Sequence, residues 1–500
     1  MLLGALLVAS AVIRVPLVWA PGHNYWPDEG LYRGFMAAAV HGDGPAMRAA
    51  LSDDGHHFLY RIAWILPDAI EYLIKFERTP TFVFGTVSVV CVWLVYGIAR
   101  RGGASPSEAL VAAALMAASN TMFYYSRHFF PYDLALALAL GGLFIGLGSS
   151  RVISPLFAGV FAALAIVMYP GYWTMAITVV PLAALGHAIA WTQRLRRIAH
   201  GAVGGLLALA VCQLAYQQLT GGSLLRNFGG YAGTILQGSF SEGWSLPFEY
   251  LWYAEHGLLV LWCVALAVGV WWWMSSQLPL FIRGCLGSVA LMYGLWVIGS
   301  NVLERFVVYG RLVRPIVPYL CVVSAAIAAR SLPATDRWRR TSVTAGTALV
   351  LIQAAGNMWT PLHLQFPRGF RGDNAPRVAQ VAEPDYRWLN VRHLYPGPEN
   401  QEVPDGWEVI AEAPHPLQFS PYLFEGYTPQ ERAILRGSDV RMRLIVRMEA
   451  IGRNGTVRRP IPAMPVRRLA TLSFSRRDGR GDRTGPAPRE CGDRCAEDAP

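Results

Sequence analysis

The chain has 500 residues, 53% of them hydrophobic and only 15% charged, where an ordinary soluble domain carries roughly 25% charged residues. That composition excludes a soluble protein of this size and points to an integral membrane protein. The formal net charge of +10 comes almost wholly from arginine, Lys75 being the only lysine; it is a compositional bias, and no nucleic-acid partner is read from it.

A membrane-spanning helix needs roughly 17 to 25 mostly apolar residues, and the sequence offers about eleven such stretches. In chain order they centre on "MLLGALLVASAVIRVPLVWA", "TFVFGTVSVVCVWLVYGIA", "LVAAALMAASNTMFYY", "LALALALGGLFIGLG", "ISPLFAGVFAALAIVMY", "TMAITVVPLAALGHAIAW", "AVGGLLALAVCQLAY", "GLLVLWCVALAVGVWWW", "GCLGSVALMYGLWVIGS", "PIVPYLCVVSAAIAA" and "SVTAGTALVLIQAAGNMW". The first lacks a basic leader region and carries Arg14, which favours an uncleaved anchor over a secretory signal. Arg100 and Arg101, Arg151, "QRLRRIAH", Arg283 and "RSLPATDRWRRT" fall in alternate connections. Under the positive-inside bias this places the N-terminus in the cytoplasm and residues 21–79 outside; the segment "ERFVVYGRLVR" goes against the trend. Cys91, Cys212, Cys263, Cys285 and Cys321 lie in apolar runs, where a thiol behaves as a small hydrophobe. Only Cys491 and Cys495, in the polar tail, are candidates to pair.

The first external loop, residues 21–79, is long enough to hold structure of its own. Within it "FLYRIAWILPDAIEYLIKF" places Arg61, Asp68, Glu71 and Lys75 on one polar stripe of an otherwise apolar helix, the pattern of a helix lying in the membrane interface. After about residue 360 proline, arginine and glutamate rise and no span-length run remains. The expected organisation is a transmembrane helical bundle over 1–359, a small extracytoplasmic α+β domain over 360–473 and a disordered tail over 474–500. "VRMRLIV" reads as a strand and "TPQERAILRG" as a helix start.

The residues able to do chemistry gather on the external side. "YWPDEGLYRG" sets Asp28 and Glu29 between aromatics, including Tyr32, where the chain leaves the first span. A carboxylate drawn toward apolar surroundings has its pKa raised toward values useful for a general base; the plainer reading is a solvated turn shaped by Pro27 and Gly30. The same loop supplies "SDDGHHFLYR", with Asp53, Asp54, His56 and His57. "YYSRHFFPYDL" brings Arg127, His128, Tyr132 and Asp133 to the third external turn, and "NVLERFVVYGRLVRPIVPYL" adds Glu304, Arg305, Arg311 and Arg314. Arginine suits phosphate because its planar fork donates two parallel hydrogen bonds, although an arginine snorkelling to the interface is an equal reading. His187, Gln213 and Arg14 lie inside spans and are expected to make helix contacts. The "GGSLLRNFGGYAGT" stretch lacks phosphate-loop spacing and reads as a flexible loop.

Taken in order, "PDEGLY", "DGHHFLYRI", "ERTPTFVFGTVSVVCVWLVYGIAR", "YYSRHFFPYDL" and "YGRLVRPIVPYL" resemble the GT-C superfamily of membrane glycosyltransferases, and within it the protein O-mannosyltransferase and aminoarabinose-transferase group. The resemblance spans roughly residues 1–330. It implies a GT-C-like polytopic helical fold in the inner membrane, a polyprenyl-phosphate sugar donor, an acceptor that is a lipid, protein or glycan, and inverting transfer on the non-cytoplasmic face. By the same resemblance Asp28 would be the general base and Glu29 would orient the acceptor. Arg127 and Arg311 match basic positions that would hold the donor phosphate, and His56 or His57 falls at a family position; read from their place in the same external segments, Arg305 is expected to join the phosphate site and Tyr32, Asp54, His56, His57 and Tyr132 to line the substrate. The family often has a His-Pro pair near His56 and His57, and this chain has no proline there. A sugar phosphate already carries a good leaving group, so the chemistry asks for a base and cationic stabilisation, with no cofactor and no metal implied. A transporter or flippase for a lipid-linked or anionic substrate, a sugar-polymer ligase and a non-catalytic scaffold are the rival readings.

Overall fold

The computed structural model describes residues 2–15, 35–52, 57–74, 79–126, 131–148, 153–229, 244–255, 257–275, 277–303 and 310–331, together with short strands at 390–394, 408–414, 441–447, 449–451 and 458–460. Helix α1 (Leu2–Arg14) is 13 residues long, shorter than the 20-residue apolar run suggests. Pro16 disfavours helical backbone at Val15, and Arg14 turns inward to be fully buried. Within the expected external loop lie α2 (Phe35–Val40), α3 (Gly44–Leu51) and α4 (Phe58–Ile74). Asp43 caps α3 by accepting from the Ala46 amide at 2.9 Å. Helix α4 is the amphipathic helix expected from the sequence, with one difference. Arg61 does not share an outer polar stripe; it is buried and donates to the Ala50 carbonyl at the end of α3. The exposed residues of α4 are instead Leu66, Tyr72, Leu73 and Ile74, which suit a lipid boundary.

Each of the first ten apolar stretches contains a described helix, and the eleventh lies outside the described residues. Among the described residues four helices are individually long and apolar enough to cross a membrane: α5 (Thr79–Arg101), α11 (Trp191–Thr220), α13 (Gly257–Met274) and α14 (Leu280–Asn301). Shorter apolar helices complete the bundle: α6 (Pro106–Ala118), α7 (Asn120–Tyr125), α8 (Tyr132–Gly148), α9 (Ile153–Met168) and α10 (Trp173–Leu185). They are joined by α12 (Leu246–Glu255), α15 (Gly310–Val313) and α16 (Val317–Ser331). Helix α8 packs between α5 and α9, α9 runs along α11, and α6 fills the space between α5 and α16. The close approach of α9 and α11 needs residues without a Cβ: one added at Gly159 would sit 1.7 Å from the Gly201 carbonyl oxygen, and one at Gly204 would sit 2.1 Å from that of Leu156. Small residues of this kind let membrane helices gain van der Waals contact that lipid would otherwise supply.

The C-terminal end of α8 shows how its orphan carbonyls are satisfied from four sides. Arg101 at the end of α5 donates to the Phe144 carbonyl, Ser154 of α9 to that of Ile145, and Arg197 of α11 to that of Gly146, where the His187 ring nitrogen also lies 3.1 Å away. The cationic groups face the negative end of the helix dipole. His187 is therefore not inside a span but in the turn between α10 and α11, and "QRLRRIAH" is not a loop but the first turns of α11. Burial, partly offset by the Gly146 carbonyl and reinforced by Arg197, holds the His187 imidazolium pKa below the ordinary 6.5. Gln213 accepts from the Leu225 amide at 3.0 Å, a helix contact as expected. The stretch expected to be a flexible glycine-rich loop begins instead with a helical turn at residues 224–229, fastened by Asn227 donating to the Tyr216 hydroxyl.

In the C-terminal part the strands are β1 (Asn390–Leu394), β2 (Glu408–Pro414), β3 (Arg441–Arg447), β4 (Glu449–Ile451) and β5 (Arg458–Pro460). β3, which includes most of "VRMRLIV", lies centrally and antiparallel to both β1 and β2, and β4 pairs antiparallel with β5. The expected helix start at "TPQERAILRG" lies outside the described residues.

Candidate functional site

Arg314 anchors the opposite end of the bundle from the α8 cap. It sits in the single turn of 3-10 helix, Arg314–Ile316, that Pro315 initiates ahead of α16. It is 0% exposed. One terminal nitrogen donates to the Tyr172 hydroxyl at 3.3 Å, and the other forms an ion pair with Asp133 and contacts the Met122 sulfur at 3.6 Å. Its guanidinium carbon also lies 5.9 Å from the Tyr132 ring centroid. Asp133 is in the first turn of α8, where the helix dipole favours an anion. Its Oδ2 is buried with no hydrogen-bond partner among the described residues. One side chain thus draws together α7, α8, the α9–α10 turn and the approach to α16.

Above this pair stands an aromatic wall. The turn "YPGY" between α9 and α10 puts Tyr169 and Tyr172 side by side, with ring centroids 5.6 Å apart in an edge arrangement. Tyr132 meets Tyr169 edge-on at 4.8 Å, and His57, one residue before α4, stacks parallel to Tyr169 at 6.1 Å. Gly171 makes the turn possible because a Cβ there would collide with Leu312 and Tyr169, each 2.5 Å away. Of the residues singled out from the sequence, His57 and Tyr132 are therefore brought together through Tyr169. Arg311 lies in the short helix α15, three residues before Arg314. Asp28, Glu29, Tyr32, Asp54, His56, Arg127 and Arg305 lie outside the described residues, as do Asp53, His128 and Glu304.

The third apolar stretch, expected to be one continuous span, is broken after Ala118, and buried charges hold the break from both sides. Arg14 donates to the carbonyls of Met116 (3.2 Å) and Ala117 (2.9 Å), in the last turn of α6, and to the Ser88 hydroxyl at 2.6 Å. Glu255, 0% exposed at the end of α12, accepts from the Asn120 and Thr121 amides, both at 2.9 Å, and from the Ser119 hydroxyl at 2.6 Å. Ser119 in turn accepts from the Met122 amide, and Asn120 donates to the Ala254 carbonyl. Arg14, Asp133, Glu255 and Arg314 are all buried, so two basic and two acidic side chains are held inside the bundle.

Arg314 stands out in the sequence as one of several external arginines suited to phosphate and Asp133 only beside Tyr132, and Tyr169, Tyr172 and Glu255 do not stand out. The available signals were an acid opening an otherwise uncharged apolar helix, a Tyr-Pro-Gly-Tyr turn, and an acid immediately ahead of an apolar span. Arg14 was expected to make helix contacts, and it does. Among the described residues no group of three histidine, cysteine or acidic side chains is placed to hold a metal ion.

No protein-family model matches the sequence, and no curated protein sequence matches it significantly. Among solved structures the fold is similar to that titled ArnT from Cupriavidus metallidurans bound to undecaprenyl phosphate. The superposition covers 73% of this chain and 67% of that one, with a TM-score of 0.50 and 14% sequence identity. At that identity the likeness is one of fold alone: a similar arrangement of helices.

Proposed function

We propose that this protein is an integral-membrane glycosyltransferase that moves a sugar from a polyprenyl phosphate to an acceptor hydroxyl on the non-cytoplasmic face of the inner membrane. The observation that carries the reading is convergence. In a fold similar to a protein crystallised with undecaprenyl phosphate, His57, Tyr132 and the turn at Arg314 meet at one end of the bundle. These belong to three of the stretches on which the resemblance rests.

In the proposed reaction the acceptor oxygen attacks the anomeric carbon from the side opposite the phosphate. The carbon–oxygen bond to phosphate breaks with inversion, and its electron pair leaves on the polyprenyl phosphate. Asp28 takes the acceptor proton, with Glu29 orienting the acceptor. Arg127, Arg305 and Arg311 are assigned to the donor phosphate, whose growing charge a guanidinium stabilises in the transition state. Tyr32, Asp54, His56, His57 and Tyr132 are assigned to the substrate. The acceptor belongs to the lipid, protein or glycan class.

The decisive experiment follows sugar transfer by purified protein from a panel of polyprenyl-phosphate sugars to membrane-extract acceptors. Replacing Asp28 with Asn should lower the rate by about 10²- to 10⁴-fold, the usual contribution of a general base, with unchanged unfolding temperature. No donor consumption by the wild type, or an Asn variant as fast as the wild type, would overturn the assignment. The transporter reading would then move ahead. It draws on the broken helix α6–α7 beside the buried Glu255, since transporters place ionisable groups at interrupted helices.

A further inference from the structure

A broken helix inside a bilayer must satisfy every backbone group it frees, because no water is there to do so. Between α6 and α7 that requirement is met by charge as well as by hydrogen bonding. The carbonyls that α6 leaves open at Met116 and Ala117 face the Arg14 guanidinium. The amides that α7 presents at Asn120, Thr121 and Met122 are taken by Glu255 and by Ser119, whose hydroxyl is itself donated to Glu255. A cation thus sits at the negative end of one half-helix and an anion at the positive end of the next, so both dipoles are compensated. Neither residue is local: Arg14 comes from α1, and Glu255 lies 136 residues beyond Ser119. A span with no purpose in breaking would not need two buried charges from distant helices to hold the break.

What the break accomplishes is seen at the far side of α7. The six-residue helix carries Met122 against the Arg314 guanidinium and leads toward the segment that holds Arg127. Met122 and Phe123 are buried to 1% and 0% exposure, so the direction of α7 is fixed by packing once its start is fixed. We infer that Arg14 and Glu255 are positioning residues of the candidate site: together they clamp the α6–α7 break and so set where α7 meets the Arg314–Asp133 pair and the tyrosine wall. The inference rests on the reading that this end of the bundle binds a lipid phosphate.

The test uses the full-length protein in detergent with undecaprenyl phosphate as the probe, measuring its binding affinity alongside hydrogen exchange at residues 119–125. Glu255→Gln loses the charge that holds two amides and a hydroxyl. It should raise exchange at 119–125 and weaken probe binding by about tenfold, the equivalent of one charge-assisted hydrogen bond. Ser119→Ala, a milder change suited to the case in which Glu255→Gln does not fold, should shift both quantities the same way by less. Arg197→Leu, at the other end of the bundle, is the control for general destabilisation: it should lower the unfolding temperature and leave probe binding unchanged. Exchange at 119–125 that stays at the wild-type level in Glu255→Gln overturns the clamp. Raised exchange with unchanged affinity reduces Glu255 to a merely structural role and overturns the positioning. Wild-type protein that does not bind the probe overturns it as well. Probe binding without sugar transfer from any donor overturns the transferase reading instead and leaves the clamp decided by the binding data.

Discussion

Arg314 and Asp133 face each other at 0% and 5% exposure, and at that depth an ion pair is worth far more as a pair than either charge is alone. Desolvating two ions offsets most of their attraction, whereas removing one partner leaves an uncompensated buried charge at a cost of about 3–5 kcal/mol. Asp133→Leu and Arg314→Met should each lower stability by about that amount. The double variant Asp133→Leu/Arg314→Met, with no charge left to compensate, should lose clearly less than the sum of the two. Unfolding in detergent, followed by the fluorescence of buried Trp64, Trp262 and Trp296, measures all three; additive losses would show that the two residues do not act as a unit. The same pair explains why the site was only partly legible. Arginines near external turns stood out because they oppose the charge bias of membrane proteins, but nothing local in "YYSRHFFPYDL" or "YGRLVRPIVPYL" says which acid meets which base. That pairing spans 181 residues.

At the scale of elements, apolar runs bounded by Gly, Pro and Arg were readable because bilayer thickness sets a length that sequence must meet. Helix ends and interruptions were not readable, because they depend on distant partners. Ser119, Asn120 and Thr121 make only a short polar interruption in a run of span length, and the residue that makes the break stable is on α12. Likewise "QRLRRIAH" looked like a loop because of its charge. It is helical because α11, at 30 residues and about 45 Å, exceeds the roughly 30 Å hydrocarbon core and carries those arginines beyond it. Helix contacts give the clearest quantitative expectation at this scale. Gly159→Ala places a methyl 1.7 Å from a backbone oxygen of α11, while Gly205→Ala meets nothing nearer than 3.4 Å. Both cost or gain similar helix propensity, so a comparison of their thermal unfolding isolates packing. Gly159→Ala should lose about 1–3 kcal/mol from overpacking and Gly205→Ala should be neutral or slightly stabilising. Equal behaviour of the two would mean that α9 and α11 do not approach as closely as described.

Seen as a whole, the bundle has two chemically different ends. At one, arginines and a histidine from α5, α11 and the α10–α11 turn cap the C-terminus of α8. At the other lie the tyrosine wall, the Arg314–Asp133 pair and the approach to α4. The arginine pattern assigns the α8 cap to the cytoplasm, and the proposed reaction then needs the tyrosine wall outside. A single helix can test this, because α11 exposes a glutamine near each end, Gln193 and Gln218. In a background with Cys491 and Cys495 replaced by serine, the remaining thiols lie within helices and all but Cys263 are buried. A membrane-impermeant maleimide added to intact cells, with access to the inner membrane, should then label Gln218→Cys and spare Gln193→Cys until the membrane is opened. The reverse pattern would put the candidate site on the cytoplasmic face. A donor presented from outside could not reach it there, so labelling decides the sidedness of the proposed reaction before any substrate is known.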